Sequence, residues 1–255
     1  DLHKEYRRQR QMCIRDSDFD VLTFDCYGTL IDWETGIWDA LQPLIAQNHP
    51  LAISRVQGLK AFAAAESEQE SETPEMPYPD LLSHVHRRIA NELALTSSRA
   101  LDSDFGASVP YWPAFSDSAE VLRSLKKHYK LVILSNVDVA GFAASNRKLG
   151  VEFDAIYTAQ TIGSYKPDQR NFNYMLERLD KDHGIARHKV LHTAQSLHHD
   201  HVPAKALGLA NAWIDRQRLS ASGDWGATAK VAQHPSMDFI FFSLEEMLTA
   251  VRASD

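Results

Sequence analysis

The sequence predicts an α/β fold, a doubly wound parallel sheet interrupted near its start by an inserted α-helical cap. Two observations carry this. From residue 113 onward short apolar runs alternate with helical periodicity, the pattern of strands buried on both faces by crossover helices. Between Trp33 and Trp112, by contrast, apolar residues recur at helical spacing with no convincing strand. With 255 residues, of which 44% are hydrophobic and 24% charged, the chain supports a real core without disulfide or metal staples.

The first strand is expected from Phe19, Val21, Leu22 and Phe24, and it ends in Asp25. Gly28 and Thr29 turn the chain at once. In the helical block, Ile37, Leu41, Leu44 and Ile45 mark one helix, and Leu81, Leu82, Val85, Ile89 and Leu93 mark another. Residues 66–79, rich in Glu, Ser and Pro, read as a loop between helices. Asp117 with Glu120 reads as a capping pair opening a helix through Lys127. Strands are then expected at 130–134, 155–157, 190–191 and 212–214, separated by helical patterns around 142–149, 172–179 and 202–207. The expected division is a core of residues 18–32 and 113–255 and a cap of residues 33–112. Residues 1–17 carry five Lys/Arg and three Asp/Glu without periodicity, and their MCIRDS string resembles a translated sequencing adaptor. A non-native or disordered extension is expected there.

A net charge of −7 argues against nucleic-acid partners, because neutralising phosphates needs a basic face. No apolar run approaches the roughly 18 residues of a membrane helix, so no membrane partner is expected. Two cysteines, Cys13 and Cys26, make no disulfide framework, and a cytoplasmic location is expected. His198, His199 and His201, like the pair His84 and His86, lack partners at ligand spacing, so no metal and no cofactor is expected. Trp33, Trp38, Tyr111 and Trp112 either pack the hinge of the insertion or wall an apolar pocket. Apolar cap surface is compatible with a homodimer.

A parallel sheet gathers its ligand site at the C-terminal ends of its strands. Asp25, the pair Ser135 and Asn136, and a loop ending in Asp200 all fall there, while Lys166 precedes a helix that Asp168 can cap. Taken in order, FDCYGTL, LSN, YKPD and the loop ending in Asp200 resemble the four motifs of the haloacid dehalogenase superfamily, over residues 18–255. That resemblance implies a Rossmann-like core with Asp25 as nucleophile and a cap inserted after the first motif. Phosphatases of the superfamily carry a second Asp two positions after the nucleophile, because an alkoxide leaving group needs a general acid. Here that position is Tyr27. They also hold Mg²⁺ with an Asp whose counterpart is Gln195, and an amide is a poor ligand for a hard cation. Both losses point to a leaving group such as halide.

DCYGT together with YKPD resembles the type II branch, the (S)-2-haloacid dehalogenases, which need no metal. The resemblance implies hydrolysis of small 2-haloalkanoic acids to 2-hydroxy acids through an ester on Asp25. On it, Thr29 orients Asp25, and Lys166 lowers the Asp25 pKa and counters the substrate carboxylate. Ser135, with backbone N–H groups near Cys26 and Tyr27, binds that carboxylate; Asn136 faces the departing halide, and Asp200 orients Lys166 or the hydrolytic water. The partner is a small anionic substrate. Three positions depart from the branch: no cap Arg stands where it receives the halide, although Arg55 and Lys60 are near, and Phe172 and Leu197 replace a Tyr and an Asn. A Mg²⁺-dependent phosphatase or phosphonatase-like hydrolase, and a non-catalytic binding protein, remain open at this point.

Overall fold

β1 (Val21–Phe24) is buried along its whole length. That is the environment of a central strand, and a computed structural model, which describes residues 14, 17–221 and 231–253, places it there. Most of the expected extension, including Cys13, lies outside the described residues, while Ile14 is buried against the core. The other strands are β2 (Lys130–Ser135), β3 (Ala155–Thr158), β4 (Val190–Ala194), β5 (Ala210–Ile214) and β6 (Phe239–Phe241), in the order β3-β2-β1-β4-β5-β6. Every pairing is parallel.

The order reverses at β1, which has β2 on one side and β4 on the other, and a crevice opens at such a switch point. Register sets what meets there. Phe24 pairs with Ile133 and with Thr193, so the residues that follow in all three strands emerge at one edge.

The insertion consists of α1 (Trp33–Gln47), α2 (Arg55–Glu72), α3 (Tyr78–Glu92) and α4 (Arg99–Gly106). Asp32 caps α1 by accepting from the Thr35 amide, and Ser54 with Gln57 forms a capping box on α2. Where the chain enters and leaves this block it is zipped together: Asp32 N–H donates to Pro113 O at 2.8 Å and Phe115 N–H to Leu30 O at 3.1 Å. The core helices are α5 (Ser118–Leu125), α6 (Val139–Leu149), α7 (Ala159–Ile162), α8 (Gln169–His183), α9 (Val202–Ala206) and α10 (Leu244–Arg252).

Two sequence expectations are corrected. Residues 66–72 are the last two turns of α2, not loop. Beyond Leu59 and Phe62 this helix buries only Gly58, Ala61 and Ala65 together with Gln69 and Glu70, so its second half lacks the apolar stripe that periodicity detects. Asp117 makes no side-chain cap on α5; its carboxylate instead takes the Arg216 guanidinium at 2.9 Å and the Leu244 amide at 2.9 Å, tying α5 to α10.

Gly36 lies inside α1 because the Trp112 ring lies against it: a Cβ there would sit 2.3 Å from the ring. We expect Gly36→Ala, although it favours helix, to lower stability by about 1–3 kcal/mol through overpacking. The urea unfolding midpoint reads this, and a midpoint that rises would show that the ring can yield.

Candidate active site

Asp25 extends directly from β1 into the crevice, nearly buried at 6% exposure. Gly28 allows the turn that follows, since it adopts φ +93 and a Cβ there would come within 2.9 Å of Gln195 Oε1. Thr29, four residues on, is thereby returned to Asp25: its hydroxyl donates to Asp25 Oδ2 at 2.9 Å and accepts from the Gln195 amide at 2.9 Å. Lys166, in the loop between α7 and α8, is 1% exposed. Its ammonium donates to Asp25 Oδ1 at 2.9 Å, Asp200 Oδ1 at 2.7 Å and Leu134 O at 3.0 Å, which uses all three of its hydrogens.

Asp200 sits in a single π-helical turn, Leu197–His201, after β4. His192, buried within β4, reaches Asp200 Oδ1 with Nε2 at 3.0 Å, and its Nδ1 lies 2.9 Å from Thr23 Oγ1 on β1. Asp200 Oδ2 is buried and has no partner. Burial pushes the Asp200 carboxyl up, but Lys166 and His192 more than offset it and hold the group below the usual carboxylate range. Burial likewise pulls Lys166 down, and Asp200 and Asp25 together hold it above its ordinary value. For Asp25 the balance is opposite to the sequence expectation. Burial, with some repulsion from Asp200, raises its pKa beyond what Lys166 and Thr29 lower.

A cleft with a cavity volume of about 70 Å³ opens over these groups. Asp25, Lys166, Asn136, Gln195 and Asp200 line its floor, while Trp33, Phe62, Tyr78, Trp112 and the carboxylic side chains of Glu66 and Glu70 come from the insertion and its end. Trp38 and Tyr111 are not part of this wall, and Tyr111 is exposed. Of the remaining sequence candidates, Tyr27 reaches the cleft edge-on to Trp112, with its hydroxyl 3.0 Å from Ser145 Oγ on α6. Cys26 is fully buried off the cleft, and burial pushes its thiol up, away from reactivity. Ser135 Oγ is buried without a partner.

Asn136 has its amide fully engaged: Oδ1 accepts from Lys166 N–H at 2.7 Å, and Nδ2 donates to Lys166 O at 3.0 Å and to Glu70 Oε1 at 3.1 Å. Arg55 is on the exposed start of α2, bonded to Thr35 Oγ1 at 3.1 Å, and neither it nor exposed Lys60 lines the cleft. Phe172 packs edge-on against His192 in the core, and Leu197 packs with Trp213 and Ile240. The two apolar replacements therefore fill core, not pocket.

The residues present do not fit a divalent cation. Gln195 offers a neutral amide in place of a carboxylate, its Nε2 donating to Gln217 Oε1 at 3.0 Å, while its backbone carbonyl accepts from Trp213 Nε1 at 2.9 Å. The flanking carboxylates of Asp25 and Asp200 already share the Lys166 ammonium, and a second cation between them would meet it. Among the described residues no group of three or more His, Cys, Asp or Glu side chains could hold a metal. Of the histidines singled out in the sequence, His86 pairs with Asp102 at 2.8 Å, joining α3 to α4, His201 Nε2 lies 2.9 Å from Ala194 O, His199 lines the cleft and His84 is exposed.

Comparison with known proteins agrees with this architecture. The pattern of haloacid dehalogenase-like hydrolases matches residues 19–193, and the chain belongs to that hydrolase family. The L-2-haloacid dehalogenase PA0810 superposes with a TM-score of 0.71 at 22% identity, covering 91% of this chain and 98% of its own. The L-2-haloacid dehalogenase from Xanthobacter autotrophicus gives 0.74 at 19% identity, with 93% and 100% covered. The HAD-hydrolase YfnB from Bacillus subtilis, a structure bound to magnesium, gives 0.71 at 19%, with 92% and 99% covered. At these identities the likeness establishes the fold. No curated protein sequence matches the chain. No helix among the described residues is long and apolar enough to cross a membrane.

Glu66, Glu70, Tyr78 and His192 were not among the sequence candidates. The spacing of Phe62, Glu66 and Glu70 on one helix face was the available signal for the pair. For His192 it was a polar residue inside an otherwise buried strand run. We expect Lys166→Met, which leaves two buried carboxylates facing each other, to cost about 3–5 kcal/mol of stability at neutral pH. Chemical unfolding measures this, and a loss below about 1 kcal/mol would mean that water reaches the pair and screens it.

Proposed function

We propose that the protein hydrolyses the carbon–halogen bond of small 2-haloalkanoic acids through an ester on Asp25, without a metal ion in the reaction. The observation that carries this reading is the Lys166 ammonium between Asp25 and Asp200, with an amide at Gln195 where a metal would need a carboxylate. Burial makes Asp25 more basic and strips it of water, and both strengthen a carboxylate nucleophile. One Asp25 oxygen attacks the carbon bearing the halogen, and the carbon–halogen electron pair leaves with the halide. Water then attacks the Asp25 carbonyl carbon, the alcohol oxygen departs with the product, and a proton is released to solvent.

Each neighbour has a task in these steps. Thr29 fixes the Asp25 rotamer. Lys166, 2.9 Å from Oδ1, stabilises the negative charge that builds on that oxygen during ester cleavage. Asp200 stays ionised, and its unpartnered Oδ2 accepts from the attacking water. Ser135 Oγ, also unpartnered, is buried and does not line the cleft, so the substrate carboxylate is not assigned to it. Trp33, Phe62 and Trp112 offer an apolar wall for a short alkyl chain.

We expect halide release from (S)-2-bromopropionate and related acids to persist in EDTA and to fall at least about a thousand-fold in Asp25→Asn. Cleavage of p-nitrophenyl phosphate that requires Mg²⁺, with no halide release, would replace this reading by a phosphatase.

A further inference from the structure

Back-side displacement sends the leaving group away from the nucleophile. With Asp25 on the floor of the cleft, the departing group moves toward the wall formed by α2, where Glu66 and Glu70 stand. We propose that Glu70, held against the sheet edge by Asn136, donates the hydrogen bond that receives the halide, and that this suits the site to fluoride. The proposal rests on the Asp25 reading given above.

The groups that would otherwise receive an anion are engaged. Lys166 spends its hydrogens on Asp25, Asp200 and Leu134 O, and Asn136 spends both amide hydrogens on Lys166 O and Glu70. Among the described residues no basic side chain other than Lys166 and His199 lines the cleft, and burial lowers His199 to about 4, which leaves it uncharged at neutral pH. An ionised Glu70 would repel both an anionic substrate and an anionic leaving group. Its surroundings prevent this.

Glu66 and Tyr78 face it from the insertion, Asn136 from the loop after β2, Tyr165 and Lys166 from the loop before α8, and His199, 3.6 Å away, from the π-helical turn. Burial and then the charge of Glu66 push the Glu70 carboxyl well up, with Asn136 and Lys166 opposing. The Tyr78 hydroxyl donates to Glu66 at 2.6 Å and that of Tyr165 to Met76 O at 2.6 Å, so neither competes for the position. A neutral carboxyl whose Oε1 accepts from Asn136 carries its O–H on Oε2, 3.6 Å from His199 Nε2 in the cleft lining.

Such a donor matters in proportion to leaving-group basicity. Bromide departs as a weak base that needs little help, whereas fluoride is the strongest acceptor among the halides and leaves from the strongest carbon–halogen bond. In the step itself the carbon–fluorine pair leaves with fluorine, Asp25 forms the new bond to carbon, and the Glu70 O–H hydrogen-bonds the fluoride while its proton stays on the carboxyl.

The test compares fluoride and bromide release from 2-fluoropropionate and 2-bromopropionate by wild type, Glu70→Leu and Glu70→Gln across pH. We expect Glu70→Leu to lose fluoride release by about a hundred-fold or more, the effect of removing one such donor, while bromide release stays within about five-fold. Glu70→Gln, whose amide donates at every pH, should recover most fluoride release and flatten the alkaline fall that wild type shows as Glu70 ionises. If Glu70→Leu does not fold, the Glu70→Gln pH profile decides alone. Equal loss of both halides in Glu70→Leu, an unchanged alkaline limb in Glu70→Gln, or bromide release without fluoride in wild type would overturn the proposal. Release of neither halide by wild type would overturn the Asp25 reading beneath it.

Discussion

The Lys166 ammonium, sealed between Asp25 and Asp200, is the contact on which the site depends. Three segments far apart in sequence must deliver one group each to within hydrogen-bond distance: the end of β1, the loop before α8 and the turn after β4. Removing such charges from water is expensive, and attraction offsets the cost only when geometry is good and further hydrogen bonds are satisfied. Here Leu134 O takes the third lysine hydrogen, Thr29 takes Asp25, and His192 takes Asp200. Beneath them His192 is fixed by Thr23, so the central strands contribute to the charged cluster from inside the sheet.

The insertion answers a different electrostatic problem. The chain carries a net charge of −7, and Lys166 at the floor of the cleft is shared by two carboxylates. A positive field is therefore not what draws an anion into this cleft. Burial instead pushes both acids on α2 up, Glu66 to about 7 and Glu70, with the charge of Glu66 added, well above its ordinary value, so that Glu70 meets the cleft as a donor and not as a charge. The aromatic side chains around them supply the dryness on which this depends, and the pair of Trp33 and Phe62, with centroids 5.4 Å apart, roofs the same space.

Much of the fold was legible because parallel strands advertise themselves as apolar runs between helical patterns. Asp25 and Asp200 were legible at strand ends and Lys166 just ahead of a helix that Asp168 caps, and the structure brings the three together. What escaped notice did so for physical reasons. α2 buries Leu59 and Phe62 only in its first half and then Ala65, Gln69 and Glu70, so hydrophobic periodicity fades along it, and Glu66 and Glu70 read as loop. His192 meets Thr23 through the register between β1 and β4, and Asp200 only because the turn after β4 folds back over that strand, which no local pattern encodes. Phe172 and Leu197 look like losses from a pocket until their side chains are seen to point into core. The direction of the Asp25 shift is a contest between burial and one cation, and sequence identifies the cation without measuring the burial.

The covalent role of Asp25 is tested most directly by a single turnover in water enriched in heavy oxygen, with enzyme in excess over a 2-haloalkanoic acid. If Asp25 attacks carbon and water then cleaves the ester at the Asp25 carbonyl, the first product carries ordinary oxygen and the label appears in the peptide containing Asp25. Label in the first product, with none in Asp25, would contradict an aspartyl ester and mean that water attacks the substrate directly.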